Sequence, residues 1–245
     1  MTRAAASPAA APTFHPPMKS FLVLLALGLP AFSAPNDPTP EELKEGFKPL
    51  FDGKSLAGWR TYKAAEPKRQ WQVVDGAITL TAGGGGDLIT KEQFADFDLR
   101  WEWKIAAEGN SGVMWRVAET DQPASRTGPE YQLLDPAAKG KFLGEVQKGN
   151  VGGALYDLVP AKPELSKPAG EWNSSRLVVK GSRASLHLNG IPTAEVDLAS
   201  DAWREMLAGS KFATWPRFAK EATGHLCLQD HGNPVSFRRL RIKEL

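Results

Sequence analysis

The stretch Gly224–Pro234, which reads GHLCLQDHGNP, gathers two of the chain's four histidines and its only cysteine. A strand with Leu226 and Leu228 turned into a core sends His225, Cys227 and Gln229 to the opposite face, and His231 leaves on that side. An imidazole exchanges protons near neutral pH, so His231, with Asp230 as its neighbour, is the first candidate for acid–base work. The competing reading is a turn histidine that ties a loop by hydrogen bonds. His225 and Cys227 lack the paired spacing of a zinc ribbon or a His-Glu-x-x-His helix, so structural zinc has no support. A divalent ion held by carboxylates and His231 stays open, and no residue is assigned to a metal.

A second polar cluster lies in Glu130–Asp135, EYQLLD. Strand alternation puts Glu130 and Gln132 on one face and Tyr131 and Leu133 on the other, with Asp135 at the exit before Pro136. A carboxylate beside an amide reads sugar hydroxyls well, since the first accepts hydrogen bonds and the second both donates and accepts. Arg116 is expected to neutralise Glu130 across the same face; the plainer alternative is a structural ion pair on a solvated sheet. Tyr156-Asp157 and Glu171-Trp172-Asn173 add a weaker set. Trp172 can stack on the apolar face of a pyranose, with Glu171 and Asn173 as polar contacts, although a tryptophan beside a strand is more often core. Other patterns fall away. Gly83–Gly86 lacks the Gly-Lys-Ser/Thr ending of a phosphate loop, and Gly109-Asn110-Ser111-Gly112 is not a nucleophile elbow. Glu102 shares its strand face with Asp98, Arg100 and Lys104, which reads as a charged outer face.

These groups need strands to hold them. Phe97–Ile105 alternates five apolar side chains with four charged ones, the pattern of a half-buried antiparallel strand. Trp71–Val74 and Ala77–Thr81 flank the turn Asp75-Gly76, and Asn189-Gly190 joins Ala184–Leu188 to Thr193–Leu198. Gly112–Val117, Gly128–Asp135, Leu155–Leu158 and Arg176–Lys180 are further strands, with Val113, Trp115 and Val117 opposite Met114 and Arg116. In Val235–Ile242 the apolar phase slips near Arg238-Arg239, which calls for a β-bulge. Only Asp201–Leu207 and Phe212–Ala219 read as helical. Many short strands, frequent glycine turns and few helices predict an all-β, antiparallel two-sheet sandwich or jelly roll.

The chain has 245 residues and an ordinary globular composition, which favours one domain. Residues 1–33 look like a secretory signal peptide: Lys19, the apolar run Phe21–Leu29, then small residues. Met18 reads as the true start, with 1–17 as upstream over-read, and 34–46 as a Pro-rich linker or single helical turn before the domain at 47–245. The apolar run is shorter than the roughly 20 residues of a spanning helix, so no stable membrane anchor is expected, and the mature protein is expected to be periplasmic or secreted. Arg3 and Lys19 are the only charges before Ala34, which leaves 28 basic against 28 acidic residues in the mature chain. That balance gives no electrostatic footprint for nucleic acid and suits a neutral sugar. One cysteine allows no internal disulfide.

The stretches FKPLFDGKSLAGW, GNSGVMWRV, GPEYQLLD, GGALYDLVP, PAGEWNSSRLVVKG, LNG and GSKFATWPRFAKEATGHLCLQDHGNPVSFRRLRIKEL run in order from Phe47 to the C-terminus. With them the chain resembles the 3-keto-disaccharide hydrolase family. The resemblance implies a laminin-G/concanavalin-like sandwich, cleavage of glycosides whose sugar is oxidised to a ketone at C3, and a separate sugar 3-dehydrogenase as functional partner. Its matched polar positions are Glu130, Gln132, Asp135, Asp157, Glu171, Asn173, Gln229, Asp230 and His231. A C3 ketone acidifies the C2 proton, so a base can remove it and expel the C1 oxygen before water adds. In that scheme His231 or Glu130 is the base, Asp135 or Asp230 the acid or a metal ligand, and Arg116 or Gln229 the stabiliser of developing charge. Two rivals stand beside it: a carbohydrate-binding module without chemistry, and a conventional β-glucan glycosidase. The second lacks the Glu-x-Asp-x-x-Glu strand such an enzyme would carry.

Overall fold

The computed structural model describes residues 1, 2, 36–120 and 122–245; residues 3–33 of the expected leader lie outside them. Among the described residues no helix is long and apolar enough to cross a membrane. Among the described residues thirteen strands follow in order: β1 (Lys48–Pro49), β2 (Trp59–Thr61), β3 (Trp71–Val74), β4 (Ala77–Leu80), β5 (Leu88–Thr90), β6 (Phe97–Ile105) and β7 (Asn110–Val117). Then come β8 (Glu130–Leu134), β9 (Asn173–Lys180), β10 (Arg183–Leu188), β11 (Ile191–Asp197), β12 (His225–Leu228) and β13 (Val235–Glu244). One sheet has the order β11-β10-β9-β6-β13-β4-β3 with β1 also on β13; the other runs β2-β5-β12-β7-β8. All pairings are antiparallel, and the two sheets share one apolar core, a sandwich as the alternation predicts.

β6 shows why. Phe97, Leu99, Trp101, Trp103 and Ile105 are all at most 3% exposed, and side chains of this size contribute about 1.5–3 kcal/mol each on burial. Its other face is ion-paired: Asp98 accepts from Arg176 at 2.8 Å, and Glu102 from Arg238 at 2.7 Å. The β13 slip is real. The register shifts between Arg238 and Arg241, with Arg239 at φ 52°, and Val235, Phe237, Leu240 and Ile242 all reach the core.

Several expectations change. Of the two readings of the segment before the domain, the short helical turn is the one found, and the segment is docked against the sheet: Asn36 donates to Gly76 O at 2.8 Å and accepts from Arg239 N at 2.7 Å. There, helix α1 (Pro40–Glu45) starts on a Thr39–Glu42 capping box, and its Glu42 accepts from Arg241 at 2.7 Å. Leu155–Leu158 is a turn touching β8 through an isolated bridge, not a strand. A short helix α2 (Leu143–Gln147) was not expected; α3 (Asp201–Ala208) was, but Phe212–Ala219 is one 3₁₀ turn followed by loop. Val117 packs with Met114 and Cys227, not with Val113 and Trp115, because Arg116 at φ 51° inserts a bulge that reverses the phase.

Candidate active site

Tyr131 and Leu133 of β8 face the core between the sheets, so Glu130 and Gln132 point outward from the five-stranded sheet. That outer face is not bare. Ile89, Met114, Val117, Ala124 and Cys227 form a second apolar layer on it, and loops around residues 125–128, 150–160 and 209–218 close over it. Between sheet and loops lies a cavity of ≈140 Å³. Glu130, Gln132, Gln229 and His231 line it with Tyr156 and Lys211, and Phe212, Trp215 and Phe218 form an aromatic wall. Phe212 and Phe218 stack at 4.0 Å, and Trp215 meets Phe212 edge-on at 5.0 Å. The two segments singled out by chemistry, Glu130–Gln132 and Gln229–His231, thus meet across β7, which pairs with both β8 and β12.

Glu130 is buried, and burial first, then the nearby Asp87 carboxylate, push its pKa up to about 8 against the pull of Lys211 and a hydrogen bond from Gln229. Gln132, in the amide orientation that satisfies both its ends, donates to Glu130 Oε1 at 3.1 Å. Gly112 on β7 makes room for this carboxyl: a Cβ there would overlap it. Gly112→Ala is therefore expected to lower stability by about 1–3 kcal/mol in a urea melt and to displace the acid.

His231 stands exposed at the cavity mouth, edge-on to Phe142 at 5.5 Å. Burial of one side lowers its pKa; its own backbone hydrogen bond and Asp230 oppose the shift, and Lys141 adds to it. Its ring is thus neutral at pH 7. Lys211 lies over the Tyr156 ring at 4.1 Å and pairs with Asp157 at 3.3 Å. Burial alone would lower its pKa, but Tyr156 and Asp157 outweigh that and hold it above the usual value, so the ammonium stays charged. Gln229 Oε1 is buried without a hydrogen-bond partner, an acceptor open to a hydroxyl.

Eight of the expected residues do not line this cavity. Arg116 does not neutralise Glu130: the bulge swings it to Ala95 O, Asp96 Oδ1 at 3.1 Å and Gly181 O at 2.9 Å. Asp135 accepts from the amides of Glu108 and Ala137, and Asp230 from those of Gly86 and Gly232, all at 2.9–3.0 Å; both carboxylates shape loops. His225 is buried, with Nδ1 2.7 Å from Thr90 O and Nε2 against Gln93. Trp172 sits on the outer face of the other sheet between Lys104 and Arg238, beside an exposed Glu171. Asn173 accepts from Lys167 N and Asn189. Asp157 meets the cavity only through Lys211. Each oxygen of Asp135 and of Asp230 accepts a backbone amide. Among the described residues no group of three His, Cys, Asp or Glu is placed as a metal site.

Lys211 and the aromatic wall were missed as site residues. Their signal was present in the stretch GSKFATWPRF, but no periodicity tied it to Glu130.

Residues 46–243 match the family described as the 3-keto-alpha-glucoside-1,2-lyase-like domain. A 3-keto-disaccharide hydrolase of Bacteroides thetaiotaomicron is 33% identical over 233 residues, covering 82% of this chain and 79% of that one. Two crystal structures of proposed glycosyl hydrolases from Parabacteroides distasonis superpose on the chain. The first has a TM-score of 0.77 at 32% identity over 86% of this chain and 99% of its own. The second has 0.62 at 25% identity, over 81% and 99%.

Proposed function

From the premise that this chain belongs to the 3-keto-alpha-glucoside-1,2-lyase-like family, we propose that it hydrolyses 3-keto-glycosides or 3-keto-disaccharides by elimination and hydration. One observation carries this reading: a single cavity sets a carboxyl that keeps its proton at pH 7, a neutral imidazole and an ammonium against an aromatic wall. Environments that push two titratable groups apart assign them opposite tasks. His231 takes the C2 proton, and the electron pair delocalises onto the C3 oxygen as an enolate facing Lys211. The enolate then expels the C1 oxygen, which takes the Glu130 proton. Water adds across the resulting C1–C2 double bond: Glu130 recovers a proton from it as its oxygen joins C1, and His231 returns its own to C2. Net, one glycoside and one water give a 3-keto sugar and an alcohol.

Lys211 replaces Arg116 as the stabiliser of developing charge. Lys211→Met is expected to lower kcat about a hundredfold, with KM changing far less, in steady-state assays. The direct test incubates residues 34–245 with 3-keto-trehalose or a 3-keto-glucoside, with and without chelator, beside the unoxidised sugars. Release of the alcohol from the ketone alone supports the reading. Binding without cleavage would instead favour a carbohydrate-binding module, which has no use for a buried acid of pKa near 8. Release from an unoxidised glucan would favour a conventional glycosidase. Export on the 1–33 leader, and supply of the ketone by a separate sugar 3-dehydrogenase, belong to the same proposal.

A further inference from the structure

We infer that Asp87 is a positioning residue for both proton transfers: it ties down the segment that carries His231 and sets its charge against Glu130 across Gln229. This rests on the reading above that His231 and Glu130 work as base and acid on a 3-keto-glycoside. Asp87 directly precedes β5, and Leu88 lies in the core, so alternation turns Asp87 to the outer face of the five-stranded sheet. The register runs Leu88, Leu228, Val113, Tyr131 across β5, β12, β7 and β8. One step along, it sets Asp87, Gln229, Gly112 and Gln132 in a row on the cavity side, with Gln229 N donating to Gly112 O at 2.9 Å. Glu130 leans into that row, because glycine at 112 leaves the space its carboxyl occupies. The carboxyl over β7 is therefore two strand spacings from Asp87, roughly 10 Å between backbones, with Gln229 on the strand between. Asp87 is not among the residues lining the cavity, so it acts through its neighbours.

Two hydrogen bonds close a clasp at Asp87. Asp230 N donates to Asp87 Oδ1 at 3.0 Å, and Gly86 N donates to Asp230 Oδ2 at 2.9 Å. Segments 143 residues apart are thereby held together, and His231 follows directly on the clasped one. A base displaced by about 1 Å loses much of its rate, so this tie bears on the first proton transfer. The charge bears on the second. Two carboxyls facing one another where water is excluded ionise in turn, and the first to do so raises the proton affinity of the other. Burial, opposed by the Asp230 amide and joined by the Asp230 charge, pushes the Asp87 pKa up to about 6, so Asp87 is charged at pH 7 while Glu130, pushed up to about 8, is not. The other titratable groups around the pair are Cys227 on β12, Asp230 and His231 at its exit, Lys211 and Tyr156 from the covering loops, and Lys68, whose ammonium reaches Gly86. Lys211 pulls the Glu130 pKa down, and Asp87 is the charge that pushes it up.

Asp87→Asn separates the two roles, since the asparagine oxygen can still accept from Asp230 N but carries no charge. The alkaline limb of kcat/KM on a 3-keto-glucoside is expected to move from near pH 8 to about one unit lower. Asp87→Ala removes the tie as well and is expected to lower kcat about tenfold further at every pH. The Glu130 carboxyl carbon, followed by NMR in glutamate-labelled protein and identified by its loss in Glu130→Gln, reads the same shift without any substrate. Its titration midpoint should fall by about one pH unit in Asp87→Asn. A midpoint that stays in place, or equal kcat for the asparagine and alanine variants, would overturn the inference. If asparagine prevents folding, Asp87→Ser keeps an acceptor for the Asp230 amide and gives the same comparison. Failure of the native chain to cleave any 3-keto-glucoside would sink the function proposed above and leave the NMR midpoint to decide Asp87; cleavage with limb and midpoint both unmoved would sink Asp87 alone.

Discussion

Glu130→Gln is expected to slow release of the leaving group about a thousandfold while the C2 hydrogen of a 3-keto-glucoside continues to exchange with solvent. Glutamine keeps the shape of the side chain and cannot give a proton to the departing oxygen. His231 is untouched, so the enolate still forms, then collapses back by taking a solvent-derived proton at C2. Mass spectrometry in deuterated water separates the two events. Loss of exchange together with cleavage would make Glu130 the base. In the native chain the alkaline limb of kcat/KM should fall near pH 8, where Glu130 loses its proton.

The same substitution has a stability signature with a defined sign. Glu130 has an ordinary pKa of 4.5 when unfolded and about 8 when folded, so the folded state holds its proton more tightly. Its contribution is fully present below pH 4.5 and is lost as pH rises toward 8, on the order of 5 kcal/mol across the window at 1.36 per unit. Glutamine removes that slope. Urea melts should find Glu130→Gln gaining on the native chain steadily between pH 5 and pH 8, and a pH-independent difference would rule out a buried acid here.

His231→Gln is expected to abolish both events, lowering cleavage by a factor of roughly a hundred to ten thousand and stopping C2 exchange altogether. With no base the enolate never forms, whatever the state of Glu130. Because the His231 pKa lies below 6.5, the native enzyme should hold its activity to a more acidic pH than a free imidazole would allow. Exchange surviving in His231→Gln would move the base elsewhere in the cavity. The pair of variants therefore distinguishes acid from base by which event each one stops.

Much of the scaffold was legible because the relevant physics is local. Phe97–Ile105 alternates so regularly that only one face can be buried, and the phase slip at Arg238-Arg239 has one economical solution, a bulge. The same alternation placed Glu130 with Gln132, and separated Leu226 and Leu228 from Cys227. It failed at Arg116, where a residue at φ 51° reverses the phase of β7 and carries the guanidinium to Asp96. Nothing in the order of apolar and polar residues announces such a kink.

The sequence by itself determined the sandwich, the strand faces and the two polar segments, since each depends on a period of two read within a few residues. Only the tertiary structure decided which groups hold a proton and which are loop ties. Asp135 and Asp230 look as reactive as Glu130 on paper, yet backbone amides of nearby and distant loops engage them. Glu130 is set apart by loops that exclude water above it and by Lys211, brought over the sheet from a segment outside it. Desolvation and charge act through space, and the neighbours that impose them here are far apart along the chain.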